Sequence, residues 1–189
     1  MSKVSMVAGI DYSARCPAIA VHPMKPIVSF NDVKVFFYTS ETKYKSVFNK
    51  NIYGMPHIPY ESEMERFDNI SEWALAILQK FNVKKVALEG YSMGSKGGLV
   101  FQIGENAGIL KLKLWQAGIE FTTHAPTTIK KHFSGKGNSK KEAMLEAFDD
   151  RFDTDLKTIM NYTRKNIESP IGDVIDSTAI VDYLICNNI

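Results

Sequence analysis

From Val4 to Ile10 the chain is apolar apart from Ser5, and the run stops at Asp11, as a buried strand would. A second apolar run, PAIAVHP, follows the turn-like segment SARC, so the two are expected to pair as a hairpin. Residues 33–38, VKVFFY, are rich in β-branched and aromatic side chains and predict a third strand. Over 40–60 the alternation fails, and Gly54, Pro56 and Pro59 mark a long loop or loose hairpin. Met64, Phe67, Ile70, Ala74, Ile77, Leu78 and Phe81 then recur at helical spacing across 61–81, with Glu61, Glu63 and Glu65 loading the first turn. VKKVALEGY follows as a short strand closing on a carboxylate. Residues 98–117 carry Leu99, Ile103, Ala107, Leu110 and Leu114 on one helical stripe. IEFTTHAP reads as a strand, followed by short helices over 127–133 and 139–151. Residues 152–168 are polar and weakly patterned, and a last helix runs from about Ser169 to Cys186 with Pro170 in its first turn. This order predicts an α/β fold, a mixed five-stranded sheet flanked by helices, in one domain over residues 1–189.

With 189 residues, 44% hydrophobic and 23% charged, the chain has enough apolar surface to bury a core and is not of disordered composition. No apolar run approaches the roughly 20 residues of a membrane span, and the opening MSKVSMVAGIDYS turns polar too soon for a signal-peptide core. Cys16 and Cys186 are too few for a disulfide scaffold or a cysteine-based zinc site, so a reducing cytoplasm (the host's, for a viral protein) is the expected location. The net charge of +2 says little by itself; its distribution says more.

Four acids stand where acids are awkward. Asp11 ends the first strand, Glu89 ends VKKVALE, and Asp173 and Asp176 share one face of an otherwise apolar helix in IGDVIDSTAIV. Crowded carboxylates oppose each other's ionisation, and divalent cations relieve that cost. Oxygen ligands without a His or Cys cluster favour Mg²⁺ or Mn²⁺, and two such ions about 4 Å apart suit phosphodiester cleavage. Each acid alone also has a plainer reading, as a turn, cap, strand-end or solvent-facing residue. The combination points to a metal site.

The stretch PTTIKKHFSGKGNSKK holds Lys130, Lys131, Lys136, Lys140 and Lys141 and no acid, with Gly135 and Gly137 ahead of a helix start near Ser139. A glycine-bearing turn, lysines and a helix N-terminus suit phosphate, although a solvated lysine loop has the same composition. KYKSVFNKNIY interleaves Lys43, Lys45 and Lys50 with Tyr44, Phe48 and Tyr53, which fits either base stacking or a hairpin that tucks its rings inward. Residues 61–72 carry five acids against Arg66 alone, so that face is expected to turn away from nucleic acid.

Together these residues resemble the RuvC family of Holliday-junction resolvases, which have the RNase H-like fold. VAGIDYSARCPAIAV is similar to the family's first-strand motif and hairpin, and VALEGYSMGSKGGLVFQIGENAGIL to its second block, with Gly104 and Gly108 as the Gly-x-x-x-Gly pair. IKKHFSGKGNSKKEAM resembles the third block, with Lys130 and Lys141 at its two lysine places, and IGDVIDSTAIVDYL resembles the closing Asp-x-x-Asp-x-x-Ala helix. The chain departs from cellular members at Tyr12, where they commonly have Pro, and in extra residues around 40–60 and 152–168, which gives it the look of a phage or viral member.

The resemblance implies a magnesium-dependent endonuclease acting on four-way DNA junctions. Asp11, Glu89, Asp173 and Asp176 would hold two ions, and Lys130 or Lys141 would neutralise charge developing on the phosphate. The products would be paired nicks with 5′-phosphate and 3′-hydroxyl ends. It also implies a homodimer with the 98–117 helix at its two-fold interface, and a Tyr91–Lys96 loop near the junction centre where Tyr91, Met93 and Lys96 would meet DNA. Lys131, Lys136 and Lys140 would be phosphate contacts. A broader branched-DNA or RNase H-type nuclease, or a junction-binding protein that has lost catalysis, are the alternative readings. An actin-like ATPase, which the GIDYS segment also suits, needs two such domains and a longer chain.

Overall fold

A computed structural model describes residues 5–90 and 99–187. The elements follow in the order β1 (Met6–Asp11), β2 (Ala18–Pro23), β3 (Lys34–Thr39), β4 (Val47–Phe48), β5 (Ile52–Pro56), α1 (Glu63–Lys80), β6 (Val83–Glu89), α2 (Leu99–Gln116), β7 (Glu120–His124), α3 (Pro126–Ser134), α4 (Lys141–Phe152), α5 (Leu156–Ile159) and α6 (Ile171–Asn187). One mixed sheet has the order β4-β5-β3-β2-β1-β6-β7. β1, β2 and β3 form the expected antiparallel meander, and β6 and β7 add in parallel on the far side of β1.

The sheet has seven strands rather than five, because the 40–60 segment contributes β4 and β5. β5 pairs in parallel with β3, and β4 makes only a two-residue antiparallel ladder with β5. Gly54 and Pro56 spoil the alternation that marks a strand, yet proline is tolerated close to a sheet edge, where fewer backbone amides are needed. Tyr44 and Phe48 are buried, so the hairpin does tuck those two rings inward. The weakly patterned 152–168 segment also joins the core: it holds the single-turn α5 and buries Leu156, Met160, Tyr162 and Ile167.

Period-two alternation divides the strands between two cores. Val7, Ala18, Ala20 and Ala87 face α3, α4 and α6, whereas Ala8, Ile10, Ile19, Val21, Val86 and Leu88 face α1 and α2. α6 is apolar almost all round and buried along most of its length, as a central helix should be. It lies directly on β1. A Cβ added at Gly9 would come within 2.2 Å of the Val181 backbone nitrogen and 2.6 Å of the Ser177 carbonyl oxygen. Gly9, Ala18, Ala20 and Ala87 thus make a small-residue floor that lets the helix approach the sheet. No helix among the described residues is long and apolar enough to cross a membrane.

Candidate active site

The same parity aims the two strand-end acids. Asp11 shares the face of Val7 and Gly9, and Glu89 shares that of Ala87, so both point toward the α6 side of the sheet. The parallel register pairs Ile10 with Leu88, which leaves Asp11 and Glu89 side by side at the carboxyl ends of adjacent strands. α6 begins at Ile171 and crosses β1 at Gly9, bringing Asp173 and Asp176 in its first turns to that same end.

The electrostatics follow from this convergence. Burial raises the pKa of Asp11 well above the carboxylate range, and Asp173, Asp176 and Glu89 raise it further while Lys141 opposes them. Asp176 is pushed up to about 7, by burial first and then by Glu89 and Asp173, with Lys130 and Lys141 in opposition. Burial also raises Glu89, eased by Lys130, and Asp173, eased by hydrogen bonding to Ser169 and Cys16 and by Lys141. All four acids therefore resist ionisation without a counter-charge. Oδ2 of Asp173 is buried with no protein hydrogen-bond partner. An oxygen-only donor set that suffers from its own charge, with an orphaned carboxylate oxygen, fits divalent cations of the magnesium or manganese type.

Lys130 and Lys141 reach the site from different helices. Lys130 lies in α3 one residue after the buried Ile129, and Lys141 opens α4, its Nζ 3.8 Å from where a Cβ on Gly172 would stand. Lys131 of α3 and Lys136 and Lys140 of the turn before α4 are exposed. Tyr91, Met93 and Lys96 lie outside the described residues.

The acids open into a cleft of about 620 Å³ lined by Asp11, Glu89 and Asp173. Sequence reasoning missed several of its other walls, among them Tyr12, Arg15, Arg66 and Lys111. Arg66 is the lone base in an acidic stretch expected to turn away from nucleic acid, yet the start of α1 puts Glu63 and Arg66 on the cleft wall. Lys111 follows the buried Leu110, and a one-residue step around the helix turns it to the cleft.

Among the described residues, a group of three His, Cys, Asp or Glu ligand atoms within 4.8 Å of one another is formed by His132, Asp182 and Cys186. That group is a structural tie. The buried Asp182 of α6 accepts 2.7 Å hydrogen bonds from His132 Nε2 of α3 and Arg151 Nη2 of α4. The guanidinium already supplies the cation the carboxylate needs.

Comparison with known proteins bears on this arrangement. The family of crossover junction endodeoxyribonuclease RuvC matches residues 44–149, more than half of the chain. The chain belongs to the RuvC family. The crossover junction endodeoxyribonuclease RuvC of Ruegeria pomeroyi is 24% identical over 92 residues, which span 49% of this chain and 56% of that protein. The structure of Thermus thermophilus RuvC superposes with a TM-score of 0.60 at 16% identity, covering 97% of both chains. T. thermophilus RuvC in complex with Holliday junction substrate gives 0.62 at 17% identity, covering 97% of this chain and 96% of that one. The yeast mitochondrial Holliday junction resolvase Ydc2 gives 0.58 at 16% identity over 97% and 80% of the two chains. At such identities the structural likeness is one of fold, and it confirms the RNase H-like class expected from sequence. The sequence match contains Glu89, Lys130 and Lys141 but not Asp11, Asp173 or Asp176; those three are joined to it by the fold.

Proposed function

We propose that the chain is a structure-selective endonuclease that resolves four-way DNA junctions with divalent metal, Mg²⁺ or Mn²⁺, giving paired nicks with 5′-phosphate and 3′-hydroxyl ends. The observation that carries this reading is the meeting of Asp11, Glu89, Asp173 and Asp176 at one end of the sheet with Lys130 and Lys141 beside them, in a member of the RuvC family. Cations held by these four carboxylates would supply Lewis acidity and a water activated for attack on phosphorus. Asp11, which faces all three other acids, would hold the metal together with Glu89, Asp173 and Asp176.

The protein's own part is to shape and charge the cleft. Lys130 and Lys141 neutralise charge that builds on the phosphate as the water attacks. Lys131, Lys136 and Lys140 hold the DNA backbone on the exposed α3–α4 turn, giving affinity without sequence reading. Tyr91, Met93 and Lys96 are proposed to meet the junction centre. The protein is read as a homodimer, in keeping with the two-fold character of a junction cut at paired positions. Cys16 is buried and both cysteines are free, which agrees with a reducing compartment such as the cytoplasm.

A substrate panel tests the assignment. With Mg²⁺, a four-way junction should be cut in preference to a Y-shaped DNA and to an RNA–DNA hybrid. Equal cutting of the Y form would make the enzyme a general branched-DNA nuclease, and preference for the hybrid an RNase H-type one.

A further inference from the structure

Beside the catalytic cleft lies a second cavity of about 700 Å³, and the two share Ala14, Arg15, Arg66 and Ser169 as common walls. Its far walls come from the loop-rich 40–60 segment and from the 152–168 segment: Ser40, Glu41, His57 and Tyr60 on one side, Arg164 and Glu168 on the other. Charge is graded along it. At the catalytic end stand Arg15 and Lys141, the latter close enough to Asp11 and Asp173 to ease their charge. At the far end the single guanidinium of Arg164 is paired with Glu41 and, at 3.6 Å, with Glu168, so that end carries a net negative charge, which disfavours a phosphate there.

The far end offers rings instead. Tyr60 is 43% exposed, with the Arg66 guanidinium 5.6 Å from its ring centroid. His57 is stacked on Tyr38 at 4.1 Å, is tied to the Arg15 carbonyl at 2.8 Å, and is kept neutral chiefly by burial. A cationic rim, an aromatic interior and an acidic end match a nucleotide whose phosphate stays at the rim, with its base beyond. A cavity of this size takes a small molecule and no duplex. The base can therefore enter only after leaving the helical stack.

We propose that this cavity is a nucleotide subsite: an unpaired deoxynucleotide next to the scissile phosphate places its phosphate at Arg15 and Lys141 and stacks its base on Tyr60. The proposal rests on the nuclease reading and adds to it a recognition of one splayed nucleotide by residues beside the cleft. Tyr60 donates no hydrogen bond in the structure's described contacts, so Tyr60→Phe keeps the stacking face while Tyr60→Ala removes it.

The experiment compares the wild-type protein, Tyr60→Phe and Tyr60→Ala on four-way junctions carrying a normal base or an abasic site on each side of the mapped cut. For one flank the abasic site should slow the wild type and Tyr60→Phe by roughly tenfold, the lower range for stacking one base on an aromatic ring. Tyr60→Ala should lose about the same on the intact junction, with no further loss from the abasic site and an unchanged melting temperature. An abasic penalty that persists in Tyr60→Ala, or none at either flank in the wild type, overturns the subsite. A wild type that leaves junctions uncut would instead refute the nuclease reading. Binding then decides the subsite separately, using 2-aminopurine at the flanking position of a junction in EDTA. Altered fluorescence with wild type but not with Tyr60→Ala supports it, and equal responses overturn it.

Discussion

Asp11, Glu89, Asp173 and Asp176 are each pushed toward the protonated state, chiefly by burial, and this has consequences for both stability and catalysis. Groups whose folded pKa exceeds the unfolded value of about 4 contribute stability that is full below that value and lost as pH rises through the folded one. The metal-free chain should therefore melt at progressively lower temperature from about pH 5 to pH 8, spanning the Asp176 value near 7. Mg²⁺ should raise the melting temperature more at the upper end than at the lower, and Asp176→Asn should flatten the metal-free profile. Calorimetric scans across pH check this; a melting temperature that climbs with pH would show that the acids are stabilised by protein partners. For catalysis, Asp11→Asn, Glu89→Gln, Asp173→Asn and Asp176→Asn should each reduce junction cleavage by at least about a hundredfold while junction affinity holds, because phosphate contacts and not these acids supply binding. Single-turnover cleavage beside a gel-shift titration separates the two quantities, and near-normal cleavage by any two variants removes the assignment.

At the scale of elements, α6 on β1 is the contact on which the site's geometry depends. Gly9→Ala would drive a methyl into the α6 backbone, at an expected cost of about 1–3 kcal/mol or more in denaturant unfolding, with cleavage falling as Asp173 and Asp176 move away from Asp11. The proposed function divides the lysines of α3, α4 and the turn between them by role. Lys130→Ala or Lys141→Ala should slow single-turnover cleavage far more than it weakens binding. Lys131→Ala, Lys136→Ala and Lys140→Ala should each weaken binding and reduce the salt slope by about one. Rates within about twofold of wild type for both Lys130 and Lys141 variants would make them part of a plain basic loop.

The central elements were legible because their chemistry is local: apolar runs stop at Asp11 and Glu89, and α6 carries an acidic i, i+3 pair in an apolar helix. The carboxylate site was readable for the same reason, since period two and period 3.6 fix which way each acid points. β4, β5 and α5 were not legible. They are short, and their stability comes from tertiary partners such as β3 and the core around Tyr44 and Tyr162. The sequence pattern does not single out Arg15 and assigns Arg66 to a face turned away from nucleic acid, because cleft walls are set by where loops and helix ends meet, which leaves no periodic trace.

For the whole molecule, the outer face of α2 is the feature that a single chain does not use. Phe101, Leu112 and Trp115 are exposed by 74%, 52% and 71%, and a Cβ at Gly104 or Gly108 would meet nothing within 4 Å. Apolar rings flanking two small residues on one helix suit close packing against a second copy. Sedimentation should find a dimer that Leu112→Glu with Trp115→Glu converts to monomers; a monomeric wild type would contradict the homodimer. The central claim, that this sheet end is a junction-resolving metal site, is tested most directly by incubating a synthetic mobile four-way junction with the protein and Mg²⁺ and mapping every cut. The account predicts symmetric paired nicks bearing 5′-phosphate and 3′-hydroxyl ends, abolished by EDTA and by Asp11→Asn. An uncut junction, or cuts that persist in EDTA or in Asp11→Asn, would contradict it.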